Sequence, residues 1–355
     1  MHAVRATACL LAAVVAASGD GATPKSPPEV PSIGEGSSSA AEVVLERFEF
    51  QRMAMGGEAR LVFYAPDEPR ARLAAIAAFA EIEAVEQAVS DWRDSSEVRQ
   101  VETSLLGSPG QPVPISETLA CCLARSLEAS RESDGAFDVT IAPVVSLWRT
   151  ARRAGGMPPE EARREALSLV GHRRVALHGE PPRSVTAPPG TRFDFGGIGK
   201  GFGADRALAE LRRQGVTRAI VELGGDFAVG EAPPDAAGWR VEVRTGLGDE
   251  RIVLVLRDCG VATSGDLERF AEIDGVRYSH LVDPRTGLGL TRSIAATVIA
   301  RDGATADALA TATSVLGAEG AAGMLDRLDA AARIVTRSPG EPTEAPVIVT
   351  RGAWR

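Results

Sequence analysis

Between Asp194 and Asp205 the chain reads Asp-Phe-Gly-Gly-Ile-Gly-Lys-Gly-Phe-Gly-Ala-Asp, with five glycines in the eight residues from 196 to 203. Glycine loses more backbone freedom on folding than any other residue, so a run this dense needs a reason that ordinary side chains cannot supply. One reason is an anion. Without Cβ atoms the main-chain N–H groups of 196–203 can approach a phosphate closely, and the helical run that follows from Arg206 adds the positive end of its dipole. The other reading is a tight strand-to-helix turn with no ligand. Lys200 does not make the segment a Walker loop, which needs Gly-Lys-Ser/Thr, and the overlap with G-x-G-x-x-G is loose.

The remainder bounds the class of protein. At 355 residues, 44% hydrophobic and 25% charged, the chain can bury one large core or two. A formal charge of -9, with arginines interspersed among acids, argues against a nucleic-acid partner. Residues 1–17 join a positive start to an apolar run from Ala6 that ends in small residues, the parts of a secretory signal peptide and too short to span a bilayer. An exported, periplasmic protein is expected. Residues 18–45, rich in Gly, Ser, Pro and Ala, read as a flexible linker. The folded body is then 46–355. Cys9 lies inside the apolar run, too early for a lipid anchor, and Cys121, Cys122 and Cys259 do not suggest a disulfide framework.

Element signals alternate. Strands over Phe48 to Met55 and Glu58 to Ala65 flank Gly56-Gly57, and apolar residues at helical spacing predict a long helix from Glu68 to Trp92. Helices are expected from Ser116 to about Ser130, after Pro143, from Pro158-Pro159-Glu160, from Gly203 to Gln214, from Thr305 to Leu316 and from Ala318 to Leu328. Short strands are expected at Arg173 to Leu177, Ala219 to Glu222, Trp239 to Arg244, Ile252 to Leu256, Arg277 to Val282 and Ser293 to Ala300. This is an α+β (mixed α/β) pattern, with antiparallel sheets flanked by helices.

Four further segments could carry chemistry: Gly135 to Thr140, Glu222-Leu223-Gly224-Gly225-Asp226, a polar turn Thr263-Ser264-Gly265-Asp266 followed by Tyr278 to Gly287, and Ala306 to Thr311. On a helix Asp307 and Thr311 share a face, and a carboxylate with a hydroxyl suits a hard cation such as Mg²⁺. They are equally read as a helix-terminal charge and a hydroxyl bonded to its own backbone. His280, one of four histidines, is suited to take a proton near neutral pH, with Asp283 close by, although a lone His is more often structural. Asp226 and Asp266 after glycines read as turn residues. No G-x-S-x-G, H-E-x-x-H or paired C-x-x-C occurs, which weakens serine hydrolase and zinc readings.

Taken in order, Ala54-Met55-Gly56, Gly135 to Asp138, Asp194 to Asp205, Gly224-Gly225-Asp226, Thr263 to Asp266 with Ser279 to Gly287, and Ala306 to Thr311 resemble the motifs of the ApbE family of FAD:protein FMN transferases. The resemblance spans roughly 48 to 340 and implies an ApbE-like (T-fold-like) architecture. It also implies Mg²⁺-dependent cleavage of FAD, with FMN attached through a phosphoester bond to a Thr or Ser of an acceptor flavoprotein and AMP released. Membrane association would come through the acceptor. FAD hydrolysis to FMN and AMP, or flavin binding without turnover, are the alternatives. By likeness, FAD contacts fall at Met55, Trp92, Ala136, Phe137, Asp138, Asp194, Lys200 and Leu281, and Mg²⁺ ligands at the Gly197 carbonyl, Asp307 and Thr311. His280 is then the base, supported by Asp283. Four departures stand out: Gly57 where the family has Thr, Trp92 where Tyr is commoner, Glu102 where Asn is frequent, and Gly199 for Ala. An added charge at Glu102 would be expected to weaken FAD binding.

Overall fold

The computed structural model describes residues 44–244, 250–265, 270–337 and 345–354. The proposed signal peptide, nearly all of the linker, and Asp266 lie outside the described residues. At the centre is an eight-stranded sheet whose strands run in chain order, each antiparallel to the next. We number them β1 (Glu46–Ala54), β2 (Gly57–Ala65), β3 (Ala219–Leu223), β4 (Asp226–Val229), β5 (Cys259–Gly265), β6 (Ser293–Ala300), β7 (Ala331–Arg337) and β8 (Val347–Arg351). The antiparallel α+β class expected from the sequence is the one observed.

Period-two alternation sends Leu61, Phe63, Val221, Ala228 and Ala262 to one face of the sheet, and Val62, Ile220, Phe227, Val229 and Val261 to the other. The second face is covered by a hairpin, Trp239–Arg244 with Arg251–Leu256, through Trp239, Val241, Val243 and Leu254. The first face is covered by helices. These are α1 (Glu68–Val89), α2 (Glu97–Gly107), α3 (Glu117–Glu132), α4 (Ala142–Ala154), α5 (Glu160–Ser168), α6 (Gly199–Arg213), α7 (Gly303–Gly320) and α8 (Ala322–Arg327). Helix α6 packs between α1 and α7. Ser116 caps α3 by accepting from Leu119 N at 3.2 Å, as its start signal predicted. No helix among the described residues is long and apolar enough to cross a membrane.

Several expectations are corrected. The first hairpin turns at Met55-Gly56 rather than Gly56-Gly57, with φ of 51° and 75°, the positive pair that a two-residue turn of matching twist requires. Helix α6 begins at Gly199, four residues before the expected Gly203, so three of the motif's glycines lie inside a helix and not in a loop. The single strand expected over Arg277 to Val282 is two, Val276–Ser279 and Val282–Asp283. The break arises because Ser279 Oγ accepts from Leu281 N at 2.9 Å, a local bond that competes with the ladder. Thr263 to Gly265 end β5 and are not a turn, and Ala176–His178 is the strand where Arg173 to Leu177 was expected.

Candidate active site

The glycines of α6 are explained by what lies against them. A Cβ on Gly201 would sit 2.1 Å from the Gly303 carbonyl oxygen, and one on Gly303 would sit 2.7 Å from the Gly201 oxygen. The two helices cross backbone to backbone. A Cβ on Gly203 would meet Leu223 Cδ1 and Met55 Sδ, both at 3.0 Å. Only Gly196 and Gly197 precede the helix. Gly196 N donates to Asp194 Oδ1 at 2.7 Å, and a Cβ on Gly197 would lie 2.7 Å from Thr311 Oγ1.

This crossing assembles the first group of site residues. Gly201 N donates to Asp307 Oδ2 at 3.2 Å, and Asp307 Oδ1 accepts no hydrogen bond among the described residues. Thr311 follows one turn later on α7 with its hydroxyl against Gly197. Beside them the Lys200 ammonium pairs with the Asp226 carboxylate, which is 1% exposed and also takes Thr263 N at 3.4 Å. Asp226 is therefore more than a turn residue. Burial pushes Asp307 up to about 7, with Asp226 adding repulsion and Lys200 opposing it. Burial likewise raises Asp226 against the pull of Lys200. Met55 caps the group from the hairpin turn. Its N–H donates to Glu86 Oε2 at 3.1 Å, and its thioether lies on Gly199 and Gly203.

A second group joins through Asp194. Burial raises its carboxyl, with Asp91 nearby adding to the effect and Arg149 and Arg192 opposing it. Arg149 pairs with Asp91 at 2.6 Å and lies over the Trp92 ring, 4.6 Å from its centroid. Trp92 itself is 78% exposed, a free aromatic face held on one side by a cation. Asp194 N donates to Val139 O at 2.8 Å, which ties this group to the loop of Ala136, Phe137 and Asp138.

That loop differs from expectation in how it could serve. Ala136 and Phe137 are core residues, and Phe137 N is taken by Ser133 Oγ at 3.0 Å. Asp138 is buried, and both of its oxygens are used internally. Oδ1 takes Thr140 N at 2.9 Å and Thr140 Oγ1 at 2.6 Å, while Oδ2 takes His172 N at 3.1 Å and His172 Nδ1 at 2.8 Å. Burial pushes this carboxyl up, but the His172 and Thr140 bonds outweigh it and hold Asp138 below the usual range. Glu102 also differs. It is buried with Arg99 Nη1 at 2.7 Å and Phe193 N at 2.8 Å, so its charge braces the approach to Asp194 and is not presented to a ligand.

His280 and Leu281, both half-buried, sit at the break between the two short strands. Leu281 O accepts from Leu290 N at 3.0 Å. The Asp283 carboxylate goes to Arg285, at 2.9 Å to Nε and 2.8 Å to Nη2, so it fixes the bend after His280. Burial raises Asp283, and the Arg285 bonds bring it net below the usual range. Trp148 Nε1 and Arg163 Nη1 donate to the carbonyls of Gly287 and Thr286, at 2.8 and 2.6 Å, and brace the same loop. Glu86, Arg149, His172 and Glu102's bracing role went unread in the sequence because each depends on a partner distant in the chain. Asp226 carried a signal in the double glycine before it.

No group of three or more His, Cys, Asp or Glu that could hold a metal occurs among the described residues. Asp307 and Thr311 lie one turn apart on α7, Asp307 against the Gly201 amide and the Thr311 hydroxyl against Gly197, where no Cβ fits. Such a set suits a cation that takes few protein ligands.

A family model described as the ApbE family matches residues 55–334. The chain belongs to the ApbE family. A FAD:protein FMN transferase of Treponema pallidum (strain Nichols) is 34% identical over 264 residues, covering 70% of this chain and 72% of that protein. One from Klebsiella pneumoniae (strain 342) is 30% identical over 301 residues, covering 82% and 90%. Among solved structures, the apo Pseudomonas stutzeri flavinyl transferase ApbE superposes with a TM-score of 0.74 at 26% identity, covering 86% of this chain and 95% of that one. The Thermotoga maritima ApbE protein gives 0.71 at 28% identity, covering 83% and 97%.

Proposed function

We propose that the chain transfers FMN from FAD to a Ser or Thr hydroxyl of an acceptor flavoprotein, with AMP as the leaving group, as an exported enzyme dependent on Mg²⁺. The observation that carries this reading is the crossing of α6 and α7, which sets the Asp307 carboxylate against the Gly201 amide and the Thr311 hydroxyl against Gly197, with Lys200 in the same turn of α6. The Gly197 carbonyl, Asp307 and Thr311 would hold Mg²⁺, which when bound neutralises charge on a pyrophosphate. Asp307's elevated pKa supports the assignment, since a buried carboxylate lacking a full counter-charge is one that a cation would ionise.

The chain's own groups then divide the work. Lys200, anchored by Asp226, supplies a fixed positive charge beside the phosphates. Trp92 offers its open face for stacking, with Arg149 behind it. Met55 and the 136–138 main chain shape the flavin side, Asp194 links the two groups, and Leu281 adds an apolar wall. His280 takes the acceptor hydroxyl proton as the new phosphoester bond forms and the P–O–P bond breaks, and AMP leaves with the bridging oxygen.

The test is to incubate the protein with FAD and Mg²⁺, with and without an acceptor flavoprotein. Flavin fluorescence on the acceptor in a denaturing gel is expected. AMP release that ignores the acceptor would instead mean hydrolysis, and intact bound FAD would mean binding alone. Asp307→Ala should cut FMN transfer by at least about a hundredfold. A wild-type rate in that variant would sink the metal assignment.

A further inference from the structure

Asp205 closes the glycine motif yet takes no part in the chemistry above. It lies one turn after Gly201 on α6, and its two oxygens reach separate donors on the neighbouring helix. Oδ1 accepts from Gly303 N and Oδ2 from Ala304 N, both at 2.8 Å. Helix α7 already has a cap of its own: Asp302 Oδ1 accepts from Thr305 N at 2.8 Å, and Arg125 Nη2 holds Asp302 at 2.6 and 2.7 Å. The first three N–H groups of α7 are thus met by carboxylates from two elements.

The clasp is reciprocal. Asp205 of α6 takes the leading amides of α7, while Asp307 of α7 takes the Gly201 amide in the first turn of α6, a helix whose N-cap residue, Ile198, makes no side-chain cap bond. Between them Gly201 and Gly303 touch with no room for a Cβ on either. These contacts fix how far α7 slides and turns against α6. Only a carboxylate offers two acceptor oxygens to two main-chain donors; an asparagine would turn an N–H₂ toward an N–H. Burial, with Asp302 adding to it, pushes Asp205 up to about 7.

We propose that Asp205 is a positioning residue for the divalent-cation site, setting the register at which Asp307, Thr311 and the Gly197 carbonyl face one another. The inference rests on the reading of those three as the cation's ligands. The test is a Mn²⁺ titration followed by electron paramagnetic resonance, using the full chain. Wild type should bind Mn²⁺ and Asp307→Asn should not; failure of either overturns the cation reading and this proposal with it.

Given that binding, Asp205→Asn should weaken Mn²⁺ affinity by about tenfold or more, as the loss of an outer partner does at metal sites. The control is Asp67→Ala, which removes the α1 cap that accepts from Arg70 N at 2.9 Å, and should lower Tm while leaving Mn²⁺ affinity unchanged. Wild-type Mn²⁺ affinity in Asp205→Asn would overturn the clasp while leaving the cation site standing. Should Asp205→Asn not fold, Asp205→Glu keeps both oxygens on a longer stem. The same weakening is then expected, and unchanged affinity is again the overturning result.

Discussion

Two neighbouring glycines of α6 carry opposite expectations. Gly201→Ala would drive its Cβ into the Gly303 carbonyl at 2.1 Å, backbone against backbone, with no flexible side chain to yield. We expect a loss of about 2–3 kcal/mol or more in urea unfolding. Gly199→Ala meets only ordinary contacts, 3.6 Å to Met55 Cε and to Val89 Cγ2, and should gain up to about 1 kcal/mol from helix propensity. Lys200→Met leaves Asp226 buried without its counter-charge, so the expected cost is about 3–5 kcal/mol. Adding Asp226→Asn to it should recover part of that loss, whereas two independent sites would add. At this scale Asp307 and Thr311 were legible as an i, i+4 pair, and family likeness singled them out. Arg149 was not, because α4 ends in Arg149, Arg152 and Arg153 and only tertiary packing selects the one that covers Trp92.

Helix α7 does not run straight to its end. Gly317 has φ 76°, and past it the chain continues toward α8. Gly317→Ala should cost about 1–3 kcal/mol, because a positive φ with ψ of 175° is a backbone region that essentially only glycine occupies. Because the kink lies beyond Thr311, Mn²⁺ affinity should hold while the melting temperature falls. The same scale explains what could be read ahead of the structure. The strands Trp239–Arg244 and Ser293–Ala300 have the bounds expected, since alternation and flanking turn residues act locally. The start of α6 escaped because a first turn of Gly-Lys-Gly-Phe-Gly has poor helix propensity, and contact with α7 outweighs it. Helix α2 and strands β7 and β8 gave weak local signals, and their places come from neighbours in the sheet and core.

For the molecule as a whole, titration sets a stability profile with two slopes. Asp205 and Asp307 keep their protons to about pH 7 when folded and lose them near pH 4 when unfolded. Between those values the folded state binds more protons. Metal-free stability should therefore fall as pH rises, by at most about 1.4 kcal/mol per pH unit for each group. Asp138, Asp283 and Asp302 are held below the usual range, so their contribution is present above about pH 4 and is lost as pH falls further. Calorimetry should show a metal-free Tm that is highest on the mildly acidic side and declines toward pH 8. Saturating Mg²⁺ should flatten the decline by removing Asp307's share, and an unchanged slope would count against the ligand assignment.

The strand order has a consequence for how the molecule comes into being. Phe63 of β2 pairs with Ala219 of β3, so α1 through α6 are all strung within the loop that this pairing closes. The entropy of closing a long loop grows only slowly with its length, but the search for so distant a partner is slow. Gly197 lies inside that loop and Asp307 and Thr311 beyond it, so the crossing of α6 and α7 joins the looped segment to the part of the chain that follows it. Under the proposed function, FAD would meet a site that exists only once both parts have docked, and a chain arrested before α7 would have no place to hold its pyrophosphate.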